Sequence, residues 1–173
     1  DEIRLQKSEA LYRRAEAMGR IGHFELDIGK MTLSWSDELY RIMEVDKNDF
    51  SLRHEDFVKM IHPDDKHGFL SRRETALAKK EKFDIIVRII TPAGRTKYVH
   101  AMAQLVPDEA GIFRYFNGTT QDITEQMIAQ NQVINERNLS DSIINSLPGI
   151  FYLFNQEGKH LRWNDNLEKV SQY

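Results

Sequence analysis

Between Phe83 and Glu125 the chain reads as strand, tight turn, long strand, tight turn, strand and then an abrupt helix start. Thr91-Pro92-Ala93-Gly94 is a proline-led turn with glycine in its last position, joining a strand over 83–90 to one over 95–106. Asp108-Glu109-Ala110-Gly111 makes the next hairpin, which leads into a strand over 112–121. Asp122 then offers a side-chain cap, and Glu125 three residues later completes a pair like a capping box. Antiparallel strands that feed straight into an exposed helix restrict the chain to α+β folds in which a sheet is joined to an outgoing rod. Nothing breaks a helix from 123 to about 146, a rod of roughly 35 Å at 1.5 Å per residue. Its apolar positions (Ile123, Met127, Ile134, Leu139, Ile143, Leu147) are unevenly spaced and interrupted by Gln and Asn. A polar seam of that kind suits a coiled coil that can switch.

Upstream of the strands the signals are shorter. Leu11, Ala15 and Met18 form one apolar stripe on an otherwise charged helix over 1–19. Residues 24–28 alternate like a half-buried strand, and Ile28-Gly29-Lys30 turns it into a second strand that ends at Leu33-Ser34-Trp35. Ser36 or Asp37 caps a helix containing Leu39, Tyr40, Ile42 and Met43, and a second short helix holds Phe57, Met60 and Ile61. The run His62-Pro63-Asp64-Asp65-Lys66-His67 has the residue types of a metal site. Its spacing matches no closed site, whereas proline and carboxylates suit a first helical turn, so a helix start is the expectation.

Several function classes are excluded early. There are no cysteines in 173 residues, which removes disulfides, thiolate metal sites and cysteine chemistry. A formal net charge of -3 offers no electrostatic reason to bind nucleic acid, and the short cluster Lys79-Lys80-Glu81-Lys82 reads as a solvated helix end. With 29% charged residues and no long apolar run, no membrane span is expected. The opening lacks a basic segment followed by an apolar one, so no signal peptide is expected, and the start in mid-helix suggests a piece of a larger protein. No Ser-His-Asp order, glycine-rich phosphate loop or paired catalytic carboxylates stand out, and catalytic residues are expected to be absent. His54-Glu55-Asp56-Phe57 has a faint likeness to a histidine kinase phosphoacceptor, but lacks the basic residue and proline that follow there. It reads as a helix N-terminus.

The order of motifs is similar to that of a known family. Ile21-Gly22-His23-Phe24-Glu25-Leu26-Asp27, Leu33-Ser34-Trp35-Ser36-Asp37-Glu38-Leu39-Tyr40 and Ile61-His62-Pro63-Asp64-Asp65 resemble the first half of PAS domains in bacterial sensor proteins. Val87-Arg88-Ile89-Ile90, Tyr98-Val99-His100 and Phe116-Asn117-Gly118-Thr119-Thr120-Gln121-Asp122-Ile123-Thr124-Glu125 resemble the PAC-type second half. Ser146-Leu147-Pro148-Gly149-Ile150-Phe151-Tyr152-Leu153-Phe154, with Leu161-Arg162-Trp163-Asn164 and Val170, looks like the start of a second copy. Gln172 stands there in place of the family's glycine. The resemblance divides the chain into an N-terminal helix (1–19), a PAS/PAC domain (20–122), a linker helix (123–147) and a truncated second domain (148–173). That last piece is too small to bury a core and is expected to lean on a neighbour or be poorly ordered.

The family fold is a five-stranded antiparallel sheet with short helices on one face. It implies a cytoplasmic input module for a downstream output domain of the histidine kinase or diguanylate cyclase type. Strand parity, aligned by the family pattern, assigns the inner face to Phe24, Leu26, Ile85, Val87, Ile89, Val99, Ala101, Ala103, Phe116, Gly118 and Thr120. All of these except Ile85 and Ala103, together with Trp35, Ile42 and Phe57, line a candidate pocket that Ile42, Phe57, Ile61 and Phe69 are expected to fill. No cofactor is then expected. The alternatives are a small metabolite, a non-covalent flavin, or haem with His67 as the nearest axial ligand. Ile86, Arg88, Ile90, Tyr98, His100, Met102 and Tyr115 make an outer face too apolar to leave in water. The Leu11/Ala15/Met18 helix is expected to cover it, in cis or from a partner subunit, which favours a homodimer. Asp122, Thr124 and Glu125 are the expected signal relay into the outgoing helix.

Overall fold

The computed structural model describes residues 2–171, so the expected departure at Gln172 lies outside the described residues. The chain divides into two compact units that meet between Thr124 and Glu125. In the first unit, α1 (Glu2–Gly19) leads into β1 (Ile21–Asp27) and β2 (Thr32–Trp35). Three helices follow: α2 (Asp37–Met43), α3 (His54–Met60) and α4 (Pro63–Lys79). β3 (Phe83–Ile90), β4 (Thr96–Pro107) and β5 (Phe113–Asp122) complete the sheet. All pairs are antiparallel, in the order β2-β1-β5-β4-β3.

Both hairpin turns form as their sequences require. Gly94 takes φ 77° and its N–H donates to the Thr91 carbonyl at 2.8 Å. Asp108 Oδ1 accepts from the N–H groups of Ala110 and Ile112, and Gly111 takes φ 80°. The burial of β3 and β4 alternates as parity demands: Phe83, Val87 and Ile89, and Val99, Ala101 and Ala103, are buried on one face. The three helices lie over that face.

The helix starts are capped as expected. Ser36 Oγ accepts from Leu39 N–H at the start of α2. His62 caps α4, with Pro63 in its first turn. Asp65 there accepts from the backbone N–H and guanidinium of Arg88, at 2.6–3.0 Å, pinning α4 to edge strand β3. That bidentate pair holds the Asp65 carboxyl down at about 2, chiefly through the Arg88 side-chain bonds. Among the described residues no group of His, Asp and Glu could hold a metal ion.

Two expectations need correction at this level. Of the two ways in which α1 was expected to cover the outer face, in cis or from a partner subunit, the first is not seen. Leu11, Ala15 and Met18 are exposed, Met18 at 89%, and Ile86, Ile90 and Met102 remain exposed as well. The helix is tied instead at its C-terminal end, where Glu16 meets His23 Nδ1 at 2.6 Å and Gln121 donates to the Gly19 carbonyl. The second correction concerns Gly118, expected to line the pocket. A Cβ there would lie 2.6 Å from Ala103 Cβ and strike the β4 backbone, so this glycine serves the close approach of two strands.

The second unit holds α5 (Thr124–Ser146, from Glu125 on), β6 (Tyr152–Phe154), β7 (His160–Trp163) and α6 (Asp165–Ser171). Its hairpin leans on the end of α5: Arg162 donates to Ser140 Oγ at 2.8 Å and pairs with Asp141, and Asp165 N–H donates to Asn145. The local geometry repeats that of β1–β2–α2. Trp35-Ser36-Asp37-Glu38-Leu39 and Trp163-Asn164-Asp165-Asn166-Leu167 each end a strand and start a helix. Ser36 exchanges backbone and side-chain bonds with His23, and Asn164 does the same with Phe151, 13 residues upstream in both cases. Each side chain also caps the helix that follows, at Leu39 and Leu167. Tyr152, Leu153, Phe154, Leu161 and Trp163 are left exposed.

Gly22 sets the distance between sheet and helices. A Cβ on it would sit 2.6–2.7 Å from Leu39 Cβ, Cα and N. The Gly22→Ala variant is expected to lose about 1–3 kcal/mol of stability through overpacking. Urea denaturation should show a lower midpoint at unchanged slope, and an unchanged midpoint contradicts this account of the contact.

Candidate functional site

Between the inner face and the helices lies one cavity that leaves about 40 Å³ for water-sized molecules. Of the expected lining, Phe24, Leu26, Trp35, Phe57, Ala101, Phe116 and Thr120 are in place. Ile42, Val87, Ile89 and Val99 are buried but belong to the adjoining core rather than to the cavity wall. Parity puts a residue on a face, but only the register tells how far along the strand it sits, and each step of two residues moves about 6.6 Å. Val87 pairs with Val99 and Ile89 with Lys97, towards the other end of the sheet from Phe83 and Ala103.

The wall also holds residues that sequence reasoning missed: Leu33, Leu39, Met43 and Phe83, and the polar pair His54 and Arg73. Trp35, Phe57, Phe69, Phe83 and Phe116 form a continuous chain of rings with neighbouring centroids 5.5–6.2 Å apart. His54 stacks into this chain against Phe69. Its backbone starts α3 as expected, but the side chain is buried at 6% exposure and meets Arg73 Nη1 at 2.9–3.2 Å. Burial, followed by the Arg73 charge, pushes the His54 pKa down to about 4. His67, the candidate haem ligand, is exposed on α4 and does not line the cavity. A dry cavity able to hold benzene is on the order of 150 Å³, so the site as formed fits neither a porphyrin nor a flavin ring.

A second cluster lies where β5 passes into α5. Asp122 Oδ1 accepts from the backbone N–H and the hydroxyl of Thr124. Thr124 Oγ1 accepts from Tyr98 N–H at 3.0 Å, while Ile123 N–H donates to the Tyr98 carbonyl at 2.9 Å. The other Asp122 oxygen pairs with Lys97 Nζ at 3.3 Å. Lys97 Nζ donates to the Ile42 carbonyl at 2.7 Å and meets Glu44 Oε1 at 3.2 Å. Glu44 ends α2 in the left-handed conformation and also holds Arg95 at 2.8 Å. Burial opposes ionisation of Glu44, but bonds from Arg95, Thr91 and Lys97 outweigh it and keep its carboxyl below the ordinary value. Glu125 is exposed in the first turn of α5. Sequence reasoning had named Asp122, Thr124 and Glu125 but not Lys97 or Glu44. The signal was present: Lys97 shares the parity of Val99 and Ala101, and a lysine in that row needs a partner.

Since His54 is held neutral well below its unfolded pKa of about 6.5, acid destabilises the fold. The unfolded chain binds a proton from about 6.5 downward while the native state resists until about 4. Stability is therefore expected to be full above that window and to fall on acidification through it, by at most about 1.4 kcal/mol per pH unit. Urea titrations of the parent and His54→Leu should differ in slope between these pH values. Equal slopes contradict the assignment, and the stability that the Asp65–Arg88 pair contributes is lost only at lower pH, as it falls from about 3.8 towards 2.

Comparison with known proteins agrees with this architecture. Against the solved sensory box histidine kinase/response regulator from Burkholderia thailandensis the TM-score is 0.61 at 19% identity, covering 73% of this chain and 95% of that one. Against the N-terminal domain of a diguanylate cyclase with PAS/PAC sensor from Marinobacter aquaeolei it is 0.57 at 13% identity, covering 62% and 98%. Sensor protein FixL of Bradyrhizobium diazoefficiens is 25% identical over 168 residues. That match takes in 92% of this chain but spans only 33% of FixL. Among the described residues no helix is long and apolar enough to cross a membrane. The PAS fold family matches residues 32–120, just over half of the 173 residues, and the chain belongs to that family.

Proposed function

We propose that this PAS domain is the input module of a longer signalling protein, passing a change in its core or dimer interface into α5 and on to an output domain. The observation that carries this reading is an unbroken series of contacts. Met43 lines the cavity, and the next residue, Glu44, holds Lys97. Lys97 holds Asp122, and Asp122 holds Thr124 in the first turn of α5. A shift of α2 therefore reaches the outgoing helix through ionic contacts that are largely shielded from water. Glu125 follows in the same turn. The output is of the histidine kinase or diguanylate cyclase type, the kinds of protein that supply the similar solved structures. In this reading the domain itself does no chemistry.

Residues 20–122 make the sensor domain, 123–147 the linker helix and 148–173 the start of a second PAS domain. The Trp-(Ser/Asn)-Asp-x-Leu repeat, with the same bonds at the same spacing, supports that second copy. Its exposed hairpin supplies the apolar face that the rest of such a domain would bury. The active unit is a homodimer. Leu11, Ala15 and Met18 of one subunit meet the Ile86, Ile90, Tyr98 and Met102 face of the other, so two uncovered apolar surfaces satisfy each other.

Two tests address these points separately. In the full-length protein, Lys97→Met and Asp122→Ala are expected to remain folded, the cap loss costing about 1 kcal/mol, and to make output unresponsive to stimulus. Switching over the parent's full range in both variants rules out this relay. The double variant Leu11→Glu/Met18→Glu is expected to lower the dimer fraction in light scattering, and an unchanged fraction rules out α1 as the interface.

A further inference from the structure

We propose that Asp141 is a latch near the end of α5. Paired with Arg162 it holds the β6–β7 hairpin docked, and paired instead with Arg137 of its own helix it lets the hairpin go. The inference rests on reading 148–173 as the start of a further domain that α5 feeds. Arg162, in β7, reaches back to α5, donating to Ser140 Oγ at 2.8 Å and pairing with Asp141 Oδ1. The other oxygen, Asp141 Oδ2, lies 3.9 Å from Arg137 Nε, one helical turn earlier on α5. One carboxylate thus stands between two guanidinium groups, and all three line one open groove with Leu161 and Trp163. Among the described residues neither arginine pairs with another carboxylate.

Little else holds the hairpin in place. Tyr152, Leu153, Phe154, Leu161 and Trp163 all stay exposed, so apolar burial does not fix it on α5. Besides the Arg162 bonds, α6 is tied to α5 by the Asp165 N–H, which donates to Asn145 Oδ1 at 3.1 Å. The bonds of Asn164 and Asn166 to the Leu147 and Gly149 carbonyls lie in the connecting turn, and undocking does not break them. Asp141 is half-exposed and Arg162 partly so, which leaves their attraction weakened by water and close in strength to a pair along the helix. An arginine four residues before an aspartate is the weaker orientation of such a helical pair, which is why Arg162 holds the carboxylate here. Two states so nearly balanced respond to a small bias. A modest change in α5 is then enough to dock or release the first strands of the next domain.

Amide hydrogen exchange of the 173-residue chain, read by NMR, tests the latch. The Asp165 N–H reports docking, and the Phe151 N–H, bonded to Asn164 Oδ1, reports whether the hairpin itself is intact. Arg162→Gln is expected to speed Asp165 exchange roughly two- to fivefold, the worth of an exposed ion pair, with Phe151 unchanged. Arg137→Gln removes the competitor and is expected to slow Asp165 exchange about twofold. A merely structural pair between Asp141 and Arg162 does not produce that slowing. The swapped variant Asp141→Arg/Arg162→Asp should return the rate to near that of the parent. Unchanged Asp165 exchange in Arg162→Gln, or exchange in Arg137→Gln that is unchanged or faster, overturns the proposal. If Arg162→Gln also speeds Phe151 exchange, Asp141→Asn, altered outside the hairpin, decides in its place. Faster Asp165 exchange there supports the latch, and an unchanged rate overturns it. Output in the full-length protein keeps this idea apart from the reading it rests on. Uncoupled output in Lys97→Met with no slowing in Arg137→Gln removes the latch and keeps the input module, whereas a working latch beside full switching in Lys97→Met does the reverse.

Discussion

The antiparallel pairing of β1 with β5 is the constraint on which the rest of the first unit depends. Phe24 lies opposite Gly118 and Leu26 opposite Phe116, bringing together residues 94 and 90 positions apart in sequence. Until that pairing closes there is no continuous inner face, no floor for the cavity, and no place for α2 to settle. The loop-closure entropy of so long a connection must be met before the contacts repay it. The small residues at the seam follow from this. Gly22 and Gly118 let α2 and β4 come closer than any side chain would permit.

The two sheet edges are then protected by the segment between α2 and α4. Leu33 N–H donates to the Leu52 carbonyl at 2.7 Å on the β2 side, and Thr32 bridges to Arg53. On the β3 side, Ile61 bridges to Ile89 and Asp65 clamps Arg88. Unpaired strand edges invite pairing with other chains, and here both are occupied by the chain itself. The same segment carries His54 and Phe57 over the cavity, so edge protection and cavity roof come from one stretch of sequence.

Charge is distributed by function as much as by stability. The surface pairs, such as Lys59 with Asp56, are exposed and add little. The pairs around Lys97, with the lysine only 17% exposed, hold α2, β4 and β5 together at the start of α5. Arg73 differs from both groups: it stays partly exposed and meets the buried His54 ring rather than a carboxylate.

Much of this was legible in the amino-acid order alone. Period-two alternation set the faces of β3 and β4, Gly94 and Gly111 marked the turns, and Ser36, His62-Pro63 and Asp122 marked the helix starts. These are local rules, in which a residue's neighbours in sequence are its neighbours in space. The cavity lining was only partly legible, because parity does not say which of Val87, Val99 and Ala101 reaches the cavity wall. The exposure of α1 was not legible either, since an apolar stripe announces that something should cover it without naming what. Tertiary structure alone paired His54 with Arg73, 19 residues away, and Lys97 with Glu44 and Asp122. Such pairs are decided by where α2, α3 and α4 come to rest on the closed sheet, a position set by the packing of the whole core and written in no single segment.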